Sequence, residues 1–107
     1  MTMPWLILVC AGLLEIVWAV ALKQSDGFTR PWPTVLGIGG AILSFALLAI
    51  ALRQLPAGTG YAVWVGIGAV GVAVAGIVLF GEAVSAARVL FLSIIVVGIV
   101  GLRLVDG

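Results

Sequence analysis

One acidic residue, Glu15, lies inside an apolar run that extends from Pro4 to Leu22 and holds no other charged side chain. If that run crosses a membrane, an acidic group at its centre costs roughly 2.5–3.5 kcal/mol on insertion scales. The chain has no histidine, and no lysine or arginine falls at the same depth to neutralise it. A carboxyl group removed from water without a protein counter-ion is suited to holding either a proton or a cation. Helical spacing gives it company, with Gly12 at i−3 and Trp18 at i+3 on the same face. Gly12 leaves room beside the carboxyl group, and Trp18 offers an indole N–H and a π face. Tyr61 and Trp64 are a second i, i+3 pair, and Ser44 lies near the middle of another apolar run. A carboxylate among aromatic rings is the makings of a cation site, through charge pairing and cation–π attraction. Any one of these aromatics, taken alone, is more often a packing or anchoring residue. An acid kept neutral by hydrogen bonds would be served as well by glutamine. It is the set, Glu15 with Gly12, Trp18, Ser44, Tyr61 and Trp64, that favours a site.

The elements that must position these residues follow from hydropathy. A spanning helix needs about 20 mostly apolar residues, and the sequence divides into four such segments, at about 4–22, 33–52, 57–80 and 84–105. Proline suits the first turn of a helix, as at Pro4 and Pro33. Arg88 and Arg103 stand near the ends of the fourth segment, where long side chains reach the interface. Trp5 and Trp32 fall at segment boundaries and read as interfacial anchors. The start, Met1 to Trp5, lacks the basic region of a secretory signal, so the first segment is expected to be a retained helix.

Composition agrees with this reading and excludes others. Of 107 residues, 64% are hydrophobic and 8% charged, against about 45–50% and 25% in soluble domains. Nine charged side chains cannot cover a water-soluble surface of this size, so the partner is a lipid bilayer. The expected fold is an all-α membrane protein of four transmembrane helices in a single domain, residues 1–107. A net charge of +1 without a basic cluster points away from nucleic acid. Cys10 has no second cysteine to pair with and reads as a small hydrophobe. There is no metal-ligand cluster and no nucleophile with a base beside it, so neither a cofactor, a metal nor enzymatic chemistry is expected.

Connectors this short make consecutive helices antiparallel neighbours. Small residues at helical spacing (Gly37, Ala41 and Ser44; Gly58, Ala62 and Gly66) let helices approach closely in lipid. The run Gly66-Ile67-Gly68 fits either a hinge in the third helix or simple close packing. Lys23, Arg30 and Arg88 lie on one side of the membrane; Arg53, Arg103 and the amino terminus lie on the other. Three positive groups against three give no preferred orientation. Such a chain is able to insert both ways, and opposite copies could pair.

Three collinear stretches carry a resemblance across the whole chain: Glu15-Ile16-Val17-Trp18-Ala19-Val20-Ala21-Leu22-Lys23, Ser25-Asp26-Gly27-Phe28-Thr29-Arg30 and Pro56-Ala57-Gly58-Thr59-Gly60-Tyr61-Ala62-Val63-Trp64. The chain resembles the small multidrug resistance family of four-helix, proton-coupled exporters. Trp18 three residues after the glutamate, and the run Gly66-Ile67-Gly68-Ala69, look like its guanidinium-exporter subtype. Multidrug members typically carry glycine at the Trp18 position. One departure is the loop Gly81-Glu82-Ala83, where the family's lysine-glutamate-proline is missing.

The resemblance implies an antiparallel homodimer in a bacterial inner membrane, with Glu15 of both subunits in one pocket. It implies that Glu15 binds substrate and proton alternately and that Trp18 and Ser44 hold its carboxylate. Tyr61 and Trp64 would line the pocket, with Tyr61 linking the two glutamates. Function is then expected to be proton-coupled export of guanidinium and small substituted guanidinium ions. The alternative within the family is export of hydrophobic quaternary ammonium cations. From another class, a rotor-ring subunit also carries one intramembrane acid, but usually on the second helix of a two-helix hairpin. A purely structural membrane subunit is the remaining rival.

Overall fold

The computed structural model describes residues 2–106, with four helices and no strand among them: α1, Thr2–Gln24; α2, Pro31–Ala51; α3, Ala57–Phe80; and α4, Ala86–Asp106. At 1.5 Å per residue each is long enough to cross a hydrocarbon core of about 30 Å, and each is apolar enough to do so. Large apolar side chains point outward along them, among them Leu6, Ile42, Val97 and Leu104. In water that surface would be untenable; in a bilayer it is the lipid-facing coat. The chain is a membrane protein of four spanning helices.

The helix ends show what sets their limits. Pro31 opens α2 two residues before the expected start, its missing N–H being no loss in a first turn. Helix α4 begins at Ala86, two residues after the expected 84, because Ser85 Oγ accepts the Arg88 N–H at 3.1 Å and caps the first turn. Between α1 and α2, Asp26, Gly27 and Phe28 all have left-handed backbones. Buried Ser25 holds that turn, its Oγ donating to Leu22 O at 2.6 Å and accepting the Phe28 N–H at 3.2 Å. Helix α3 ends on left-handed Gly81. Beyond it, Arg88 donates to Glu82 Oε1 at 3.0 Å and to Ala83 O at 2.9 Å, closing the last turn.

Close approaches fix how the helices lie. Gly37 of α2 meets Leu22 of α1, and Gly40 meets Trp18, so α1 and α2 run antiparallel. Gly12, Glu15 and Ile16 meet Ile67, Gly68 and Gly71 in order, which sets α1 and α3 side by side in the same direction. Gly66 rests on Ile95 and Ile99 of α4. The core joins Trp5, Leu8 and Ala11 of α1 to Leu48 and Ala51 of α2, Leu55 of the turn, and Val63 and Trp64 of α3. Helix α4 stands apart: none of its residues is buried, and its backbone runs close to α3 alone.

One expectation needs correction, and two readings are refined. Trp32 is exposed, but Trp5 is a core residue, 6% exposed, packed in the cluster of α1, α2 and α3 with the Arg103 guanidinium 4.9 Å from its ring centroid. Helix α3 passes unbroken through Gly66-Ile67-Gly68. These glycines serve close packing, Gly66 against Ile99 and Gly68 against the Glu15 carboxyl group. Gly58, by contrast, meets no neighbour within 4 Å and gives this chain no close contact.

Candidate functional site

Glu15 lies a little past the middle of α1, the helix that packs against both α2 and α3. Its carboxyl group rests on Gly68, and any side chain there would overlap it. Oε1 is buried and has no hydrogen-bond partner, and no cationic group pairs with it among the described residues. The one ion pair found there, Arg88 with Glu82, sits at the α3–α4 turn. The site therefore presents a carboxyl oxygen with unused acceptor capacity in a confined, apolar place.

Ser44 and Trp64 are tied together at Ala11, one turn before Glu15 on α1. Ser44 is fully buried; its Oγ donates to Ala11 O at 2.8 Å and accepts the Trp64 indole N–H at 3.0 Å. One hydroxyl thus ties α2 to both α1 and α3 and fixes the Trp64 ring. Its only proton goes to the Ala11 carbonyl, so in this structure Ser44 does not donate to Glu15. Trp18 is on the Glu15 face of α1, but its indole Nε1 is buried with no partner. A free donor and a free acceptor thus sit on one helical face, three residues apart. Gly12 is buried against Ile67, which fills the space its missing side chain leaves.

The aromatics form a ladder. Tyr61 and Trp64 have ring centroids 5.6 Å apart, Trp64 and Phe45 5.3 Å, and Phe45 and Trp18 6.1 Å, all tilted. These separations are those of favourable aromatic pairs. Tyr61 and Phe45 are more than half exposed, so one side of the ladder is uncovered in the single chain. Sequence reading did not single out Phe45, which joins the α1 and α3 aromatics. Its place immediately after Ser44 was the available signal, since adjacent residues on one helix share a depth. Gly68, the floor beneath Glu15, was noted only as part of a glycine run.

Four spanning helices, an unpaired carboxyl group inside α1 and a ladder of aromatic rings define a small integral membrane protein. Residues 3–95 match the family model described as Small Multidrug Resistance protein, and the chain belongs to that family. Its relatives include a guanidinium exporter of Escherichia coli (strain K12), 57% identical over 102 residues that cover 95% of this chain and 97% of that protein. Guanidinium exporters of Citrobacter freundii and Salmonella typhimurium are 56% identical over the same shares.

Proposed function

We propose that this chain is a proton-coupled antiporter that exports guanidinium and small substituted guanidinium ions across the bacterial inner membrane, working as an antiparallel homodimer. The observation that carries the reading is the Glu15 carboxyl group, held against Gly68 with an unpartnered oxygen and no protein cation beside it. The names of the relatives supply the substrate.

Guanidinium is planar and weakly hydrated, and its N–H groups match a carboxylate through two parallel bonds. Glu15 accepts those bonds, and the Trp18, Phe45 and Trp64 faces offer π surface to the flat cation. A proton on the same carboxyl group removes its negative charge and excludes the cation. If the helices change between inward- and outward-facing arrangements only when one of the two is bound, protons moving down their gradient drive the cation out. A midplane site between inverted halves is a common transporter plan, and here two oppositely inserted chains would supply the inversion. The balanced positive charges at the two membrane faces support that arrangement. So do the unburied α4 and the open side of the Tyr61–Phe45 ladder, which leave surface for a second copy. In this role the protein binds and moves its ligand without altering it, and acts as no enzyme.

Solid-supported-membrane electrophysiology on proteoliposomes tests the reading. A pH-dependent current with guanidinium, and little with a bulky aromatic quaternary ammonium ion, is expected. Equal currents from both would replace guanidinium export with multidrug export.

A further inference from the structure

Away from Glu15, a groove of about 280 Å³ opens between α1, α3 and α4, lined by Trp5, Val9, Val63, Ile67, Val100 and Arg103. Trp5 and Val63 lie towards the starts of α1 and α3, and Arg103 towards the end of α4. Val9, Ile67 and Val100 all lie further into the span, so the groove has one charged end and runs inward through aliphatic side chains. Its occupant must combine an apolar stem with a group that answers Arg103. The Arg103 guanidinium rests on the Trp5 ring and makes no hydrogen bond or ion pair with any other described residue. Asp106, three residues on, makes no ion pair with it, and its carboxylate accepts the Thr59 hydroxyl. The guanidinium thus lies over the Trp5 ring at the mouth of the groove, and no described residue bonds its N–H groups.

We propose that this groove is a binding site for one anionic phospholipid, with an acyl chain along Val9, Ile67 and Val100 and the phosphate on Arg103. A planar guanidinium with an unused fork is well matched to phosphate oxygens. A second copy of the chain is a poorer occupant here, since an apolar helix would leave the arginine unanswered. The groove on the other side of α4, lined by Ala62, Ile95, Gly98, Gly101 and Val105, has no charged lining and better suits a helix. The two faces of α4 would then have separate tasks, one towards protein and one towards lipid.

Native mass spectrometry of the full chain, titrated in detergent with phosphatidylglycerol or phosphatidylcholine of the same acyl chains, tests the assignment. Phosphatidylglycerol is expected to bind at one per chain and about fivefold more tightly than phosphatidylcholine, the scale of one basic residue meeting an anionic lipid. Arg103→Gln should abolish that preference, Arg103→Lys should keep most of it, and millimolar glycerol 3-phosphate, which has no acyl chain, should not displace the lipid. Equal affinity for the two lipids in the wild-type protein would overturn the proposal, even if Arg103→Gln fails to fold. So would a preference that survives Arg103→Gln, displacement by the headgroup alone, or oligomers that carry no lipid because a second copy closes the groove.

Discussion

The Glu15 carboxyl group lies directly on the backbone of Gly68, so that the floor of the site is a position where α3 has no side chain. The contact joins two helices that run in the same direction. A methyl group at Gly68 would occupy the space the carboxyl group now fills. Gly68→Ala should therefore cost about 1–3 kcal/mol of stability, as overpacking does, and should weaken guanidinium binding by displacing Glu15. Isothermal titration in detergent measures the second effect; unchanged affinity would show that the carboxyl group does not depend on this floor.

Ser44 carries a separate prediction. Ser44→Ala leaves the buried Trp64 N–H without an acceptor, which costs about 1–3 kcal/mol. Trp64→Phe on the same background removes the stranded donor, so the double variant should lose less than the sum of the single losses. Thermal unfolding of the four proteins gives that coupling.

Selectivity turns on Trp18. Its Cβ packs on Gly40 and its ring lies beside Phe45, on the helical face that also carries Glu15. Trp18→Gly should reduce guanidinium currents and admit larger cations. A variant with wild-type selectivity between guanidinium and a bulky quaternary ion would remove Trp18 from the account.

The proposed antiparallel pairing predicts both orientations in one membrane. A cysteine appended to the C-terminus of a Cys10→Ser variant should react with impermeant reagent from both sides of the membrane. Labelling from one side alone would contradict an antiparallel homodimer.

Much of this molecule is legible in its residues, because lipid leaves few choices. A chain with nine charged residues must keep its apolar runs in the bilayer, and a lone acid in such a run announces itself. The rotations of the helices are harder to read. A helix that is apolar all round has no stripe to say which face turns inward. That is why Phe45, which bridges Trp18 and Trp64, did not stand out, and why Trp5 read as an anchor although it packs in the core. Helix starts moved by two residues at α2 and α4, where Pro31 and the Ser85 hydroxyl define the first turn. Hydrogen-bond partners were the least legible part: Ser44 was expected to hold Glu15, but its proton goes to Ala11.

The central claim is that one carboxyl group serves both cation and proton, and Glu15→Gln tests it most directly. The amide is nearly the same size and carries no negative charge, so the folded protein should persist, as its monodisperse elution in detergent would show. In proteoliposomes with an imposed proton gradient, wild-type protein should drive guanidinium uphill and the Gln variant should not. Uphill guanidinium movement by the Gln variant would contradict the account.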